Sequence, residues 1–292
     1  MTVMHGLSAF PITPADDDGT PRADDLTRIV ARIASAGVNS IGVLGSTGSY
    51  AYLTPNQRRD VASMAIQAAG DTPVIVGVGA LRSDVSTMLA RHAADAGAAG
   101  LLLAPMSYTP LTDDEVFQHF RTVADASDLP ICIYNNPSTT HFTFSIDLLA
   151  RLATLPTVQA VKMPLPGDGD FASQIAALQR DLPDGFTIGY SGDWGCAAAL
   201  QQGADAWFSV AAGLWPEQAL MLTRAAQAGD PQTWQARFQP MWDLFQAHGS
   251  LRVVHAAARL MGLTTALPQR PLLPLPDHVT PQIKAAIATL GG

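Results

Sequence analysis

The chain has 292 residues, 48% of them hydrophobic and 14% charged, which is enough apolar material for a large core and too regular a mixture for a disordered chain. A formal net charge of −8 with no cluster of Lys or Arg leaves no surface for a polyanion, so nucleic acid is not an expected partner. No stretch approaches the roughly 18 apolar residues of a bilayer span, and the opening MTVMHGLSAF lacks the charged and apolar regions of an export signal, so no membrane contact and a cytoplasmic location are expected.

Eight short β-rich runs follow one another at intervals of about 20 to 35 residues, each closed by a turn and followed by an amphipathic stretch. They are GLSAFPIT from Gly6, SIGVLGS from Ser40, PVIVGVGA from Pro73, GLLLAP from Gly100, PICIYNN from Pro130, VQAVKM from Val158, FTIGYSG from Phe186 and AWFSVA from Ala206. Such continuous apolar runs predict strands buried on both faces, as in a parallel sheet. The segments between them carry helix start signals. Thr54-Pro55-Asn56-Gln57 and Thr112-Asp113-Asp114-Glu115 are capping boxes, and Ser83, Ser145 and Trp215-Pro216-Glu217 mark further starts. Gly37, Gly70, Gly97 and Gly203 fall where the preceding helices should stop. The acidic run Asp16-Asp17-Asp18-Gly19 reads as a solvated turn.

Beyond about Ala225 the pattern is helical only, over 231–248, 250–262 and 281–290, with a proline-rich connector from Pro268 to Pro276. The expectation is an α/β fold: a (β/α)8 TIM barrel over 1–225 and a C-terminal three-helix extension of the same domain over 226–292.

Barrel enzymes carry their chemistry at the C-terminal ends of the strands. The sixth run ends in Lys162, one of only two lysines against fifteen arginines; the other, Lys284, lies in the last amphipathic helix. Strict alternation puts Lys162 on the inward face with Val158 and Ala160, and turns Gln159, Val161 and Met163 outward. Desolvation there disfavours the ammonium and leaves an amine able to attack a ketone. The alternative for an inward lysine is half of a buried ion pair.

The fifth run places Cys132, Tyr134 and Asn136 on its inward face, one strand spacing of about 4.8 Å away, so Tyr134 suits a proton shuttle beside Lys162. Without that neighbour Tyr134 would read as an ordinary core aromatic. Gly45-Ser46-Thr47-Gly48-Ser49 ends the second run in a hydroxyl-bearing turn whose N–H groups suit a carboxylate. It lacks the Gly-Lys-Ser/Thr ending of a phosphate loop, and the chain has no G-x-S-x-G elbow. The seven histidines, His92, His119, His248 and His255 among them, show no ligand spacing, so no metal is expected. Cys132 and Cys196 form no framework and read as free buried thiols.

Five ordered motifs resemble the dihydrodipicolinate synthase/N-acetylneuraminate lyase family of class I, Schiff-base-forming aldolase type, over nearly the whole chain. They are Pro11-Ile12-Thr13-Pro14 with Asp18-Gly19, Gly45-Ser46-Thr47-Gly48, Tyr134-Asn135-Asn136-Pro137-Ser138, Val161-Lys162 and Ser191-Gly192-Asp193. The resemblance implies a lyase acting on a 2-oxo acid of pyruvate type, with no cofactor, assembled as a homo-oligomer, a tetramer of paired dimers or a dimer. Carried over by position, Lys162 is the imine-forming lysine and Tyr134 the proton-shuttling phenol. Thr47 with Ser46 supports the relay, Ser46, Thr47 and Gly48 hold the substrate carboxylate, and Ser191, Ser209 and Val210 line the pocket.

The chain is a divergent member. Thr139 stands where the synthases carry a carboxylate-binding arginine, Met106-Ser107-Tyr108 replaces the tyrosine lent to a neighbouring subunit, and Ser49, Met163 and Gly213 replace a usual Glu, an acidic residue and Asn. The wording around Met106-Ser107-Tyr108 and Glu115-Val116-Phe117-Gln118-His119 is more similar to branches that degrade sugar acids or imino acids. The leading expectation is carbon–carbon cleavage or condensation on Lys162. The alternatives are a dehydratase or deaminase of a hydroxylated 2-oxo sugar acid or cyclic imino acid by the same imine, and a non-catalytic 2-oxo acid sensor.

Overall fold

The apolar runs form eight strands, most of only four residues, before turn geometry takes over: β1 (Gly6–Ala9), β2 (Ser40–Val43), β3 (Val74–Gly77), β4 (Gly100–Leu103), β5 (Ile131–Tyr134), β6 (Val158–Met163), β7 (Thr187–Tyr190) and β8 (Ala206–Ser209). In this computed structural model, which describes residues 3–291, they pair in chain order, all parallel, and β8 returns to β1 to close the barrel. Met1, Thr2 and Gly292, the ends of the segments read above, lie outside the described residues.

The helices are α1 (Ala23–Ser35), α2 (Pro55–Ala69), α3 (Ser83–Asp95), α4 (Asp113–Ala124), α5 (Pro137–Thr140), α6 (Ile146–Leu152), α7 (Phe171–Asp181), α8 (Cys196–Gln201), α9 (Pro216–Gln227), α10 (Gln232–His248), α11 (Ser250–Leu260) and α12 (Thr280–Leu290). Both capping boxes form: Thr54 N–H donates to Gln57 Oε1 at 2.8 Å, and Thr112 N–H donates to Glu115 Oε2 at 2.7 Å. Ser145 caps α6 by accepting from Leu148 N–H. Ser83 differs from its reading as a cap. It is already the first helical residue, and its hydroxyl meets His119 Nδ1 at 2.8 Å instead. Gly37, Gly70, Gly97 and Gly203 all take positive φ at the helix ends, the conformation a side chain resists. The one-turn helix α5, directly after β5, has no counterpart in the hydrophobic pattern.

Two packed layers result. Phe10, Ile75, Leu102, Cys132, Tyr134, Ala160, Ala206 and Phe208 fill the barrel, while a larger cluster seals the strands against the helices. The narrow interior depends on small neighbours: a Cβ on Gly42 would lie 2.2 Å from the Phe10 ring. Strict alternation fails at one place. Ile131 pairs with Val158 but Cys132 with Ala160, so β6 carries an extra residue, Gln159, which is exposed. The bulge turns Val158 outward into the helix-facing core while Ala160 stays inside, which corrects the inward placement of Val158. Among the described residues no helix is long and apolar enough to cross a membrane.

Candidate active site

Because the bulge precedes it, the second half of β6 is in clean register with β5, and Tyr134 and Lys162 are direct Cα partners. Lys162 is 4% exposed. Its Nζ lies 3.9 Å from the Phe10 ring centroid, 4.5 Å from that of Tyr134 and 5.7 Å from that of Phe208. No ion pair among the described residues includes Lys162, so the buried-pair alternative fails. Beneath it the Cys132 thiol is pushed up to about 12 by burial and stays protonated at neutral pH.

The Tyr134 hydroxyl is fixed from two sides. Asn136 Nδ2 donates to it at 2.8 Å, and it donates to Ser46 Oγ at 3.2 Å. Asn136 is itself held by Ser138 Oγ, which donates to its Oδ1 at 2.7 Å from the first turn of α5. Of the hydroxyl pair expected to support the relay, Ser46 is the one that touches the phenol. Thr47 lines the same cavity from the same turn.

That turn is held in unusual geometry. Leu44 and Ser49, on either side of it, have φ of 58° and 57°, in the left-handed region that a side chain enters at a cost of about 1–2 kcal/mol. The Leu44 carbonyl is pressed against β3, so a Cβ on Gly77 would lie 1.9 Å from Leu44 O. On the same strand end, buried Arg58 donates to Gly77 O at 2.8 Å and to Gly79 O at 2.9 Å; burial lowers its pKa to about 10. Gly77→Ala is expected to cost at least about 3 kcal/mol and to weaken substrate binding, measured by thermal denaturation and by KM. A variant with wild-type Tm and KM would show that the turn does not lean on Gly77.

A cavity of about 580 Å³ opens above Lys162. Of the residues expected in it, Ser46, Thr47, Tyr134, Lys162, Ser191 and Val210 line it; Gly48 and Ser209 do not. Gly48 lies behind the turn, where a Cβ would meet Leu44 N at 2.9 Å. Ser209 is fully buried and its Oγ accepts from Ala212 N–H at 2.9 Å, so it supports the β8 loop rather than facing a ligand. Ser191 faces the cavity with its hydroxyl donated to Met163 O at 3.1 Å.

Asp193, which sequence reasoning used only as part of a motif, joins two strand ends. It accepts from Trp207 Nε1, Val210 N–H and Ala211 N–H at 2.9, 3.2 and 2.7 Å. Burial pushes its pKa up, against the pull of these donors. Asn136 was equally missed as a site residue. Phe245, Gly249, Ser250 and Leu251, from the end of α10 and the start of α11, also reach the cavity, with Leu165 and Trp194 completing an apolar wall. Among the described residues no arginine lines it. Tyr108 is 98% exposed and lies in a separate groove with Leu81 and Met106. No group of three or more His, Cys, Asp or Glu able to hold a metal is present among the described residues.

Residues 3–290 match the Dihydrodipicolinate synthetase family. The chain belongs to that family. It is a lyase, which leaves the non-catalytic sensor without support. Similar proteins include the 4-hydroxy-tetrahydrodipicolinate synthase of Haloarcula marismortui, 33% identical over 98% of this chain and 94% of the relative. Among solved structures, the dihydrodipicolinate synthase of Agrobacterium tumefaciens superposes with a TM-score of 0.97 at 49% identity, covering 99% of each chain. A putative dihydrodipicolinate synthetase of Pseudomonas aeruginosa gives 0.90 at 27% identity, over 98% of this lyase and 99% of that chain.

Proposed function

We propose that Lys162 condenses with the carbonyl of a pyruvate-type 2-oxo acid, and that the iminium so formed is the electron sink for making or breaking the adjacent carbon–carbon bond. The observation that carries this is a buried amine without an acidic partner at a cavity floor, in register with a phenol held by two hydrogen bonds. The amine adds to C2 of the acid, and proton transfers expel water to leave the iminium. In the cleavage direction a base takes the proton of the C4 hydroxyl, and the C3–C4 bond electrons move into the iminium. An aldehyde leaves, and an enamine remains on Lys162. Protonation at C3 and hydrolysis then release the 2-oxo acid and restore the amine; condensation is the reverse.

Tyr134 stands where those protons pass, with Ser46 as its partner, and the Ser46-Thr47 turn faces the substrate carboxylate. The exposed Leu81 and Tyr108 support a self-associating face and hence a homo-oligomer.

The apolar wall and the absence of arginine point to an uncharged second substrate. Product analysis over a panel of aldehydes and 2-oxo sugar acids tests the reading: pyruvate plus an aldehyde supports it, whereas a single dehydrated or deaminated product assigns the imine to elimination. Aspartate semialdehyde, which carries a carboxylate, is expected to be a poor partner. Thr139 lacks the forked cation that would bind the carboxylate, so kcat/KM should fall on the order of 10- to 100-fold below that for the best uncharged aldehyde. Equal or better kcat/KM with the semialdehyde would overturn the uncharged-substrate assignment.

A further inference from the structure

A second cavity, of about 340 Å³, lies among the C-terminal helices, with no lining residue in common with the one above Lys162. One wall is a face of α11. Arg252, His255 and Arg259 recur there at the i, i+3, i+7 spacing that aligns side chains on a helix, and all three line the cavity. The connector and α12 close it with Thr265, Asp277 and Thr280 and with apolar Leu267, Leu275 and Ile283.

Two features of this wall are unexplained by folding alone. His255 is 2% exposed, yet neither ring nitrogen has a hydrogen-bond partner among the described residues. The backbone at Ala266 lies near it without reaching hydrogen-bond geometry. A neutral imidazole offers one donor and one acceptor, and leaving both unmet in a buried site is costly. Burial holds the ring to a pKa of about 4, so at neutral pH it is uncharged and has an N–H to give. The flanking guanidiniums of Arg252 and Arg259 are equally unused: no ion pair among the described residues includes them, although Asp277 lines the same cavity.

We propose that this cavity is a binding site for a small organic carboxylate, held by Arg252 and Arg259 with an N–H from His255, its hydrocarbon body lying against Leu267, Leu275 and Ile283. Two cations and a neutral donor on one wall suit a carboxylate, and the leucines and isoleucine opposite favour an apolar body over a bare inorganic anion. The site is independent of imine chemistry.

Calorimetric titration of the purified enzyme with butyrate, hexanoate and inorganic phosphate tests it. None of these has a ketone, so none can be captured by Lys162. Hexanoate is expected to bind, with Arg252→Gln and Arg259→Gln each weakening it about tenfold, the worth of one charge-assisted hydrogen bond, and with Tm in the absence of ligand unchanged. His255→Leu is expected to weaken binding while leaving the fold intact, since it removes a buried group that has no partner. Lys162→Arg should leave binding as in the wild type. Absence of carboxylate binding at millimolar concentration, binding untouched by both arginine variants, or phosphate bound in preference to hexanoate would each overturn the proposal. None of those outcomes bears on the role of Lys162.

Discussion

Borohydride added to the enzyme with pyruvate is expected to leave a single covalent adduct, on Lys162, and Lys162→Ala is expected to abolish both adduct and turnover. Two physical facts make the effect large. The amine is the group that becomes bonded to substrate, so its loss removes the pathway rather than one stabilising contact; removal of a covalent nucleophile elsewhere costs about 10⁶-fold. Moreover, nothing else can stand in for it. The only other lysine, Lys284, is exposed on α12, away from the cavity lining. Lys284 thus serves as the internal control for non-specific reduction.

Lys162→Arg separates chemistry from folding. A guanidinium can lie over the Phe10, Tyr134 and Phe208 rings but forms no imine under these conditions, so the variant should fold, bind and stay inactive. Adduct found by peptide mapping on Lys284, or an unlabelled but active wild type, would remove the Schiff base from the mechanism.

How much of this site could be read from the sequence follows from which interactions are local. The caps at Thr54, Thr112 and Ser145 and the glycine stops are decided within four residues, and they appear as written. Lys162 and Tyr134 were legible because a strand has a two-residue period and consecutive barrel strands are neighbours. The same rule misplaced Val158, because a bulge is set by how β6 must bend against β5, not by its own side chains. Ser46 and Thr47 could not be ranked either. In a turn with left-handed residues on both flanks, neighbouring side chains do not alternate, and only the three-dimensional path shows which hydroxyl reaches the phenol.

Ser209 entered the site through the family resemblance, yet it is buried below the cavity, where its hydroxyl accepts from Ala212 N–H in the loop that follows. The contribution of Phe245 and Leu251 was invisible for a different reason. They sit in a helical pattern more than eighty residues beyond Lys162 in the chain, and amphipathicity shows that a face is buried without showing against what.

Tyr134→Phe is expected to slow turnover by roughly 10²–10⁴-fold, the contribution of a positioned acid or base, while leaving the fold nearly unchanged. The ring keeps its place in the barrel core and beneath the Lys162 amine, so packing and the cation–π contact persist. What disappears is one oxygen that accepts from Asn136 and donates to Ser46. Because Asn136 Nδ2 then points at nothing, part of any loss in stability will come from that amide; Asn136→Leu should show the stability change without removing the phenol. Each stage of the imine cycle needs a proton delivered or taken close to C2 and C3, so the variant should slow adduct formation as well as product formation. Trapping on Lys162 should remain detectable after long incubation, since water can carry protons slowly. If Ser46 is the relay partner, Ser46→Ala should lower kcat more than Thr47→Val, which should act chiefly on KM through the carboxylate. A Tyr134→Phe enzyme with wild-type kcat on its best substrate would reduce the phenol to a packing residue, and the conserved rate would then have to be carried by another group lining the cavity, with Thr47 the nearest hydroxyl in the chain to Ser46.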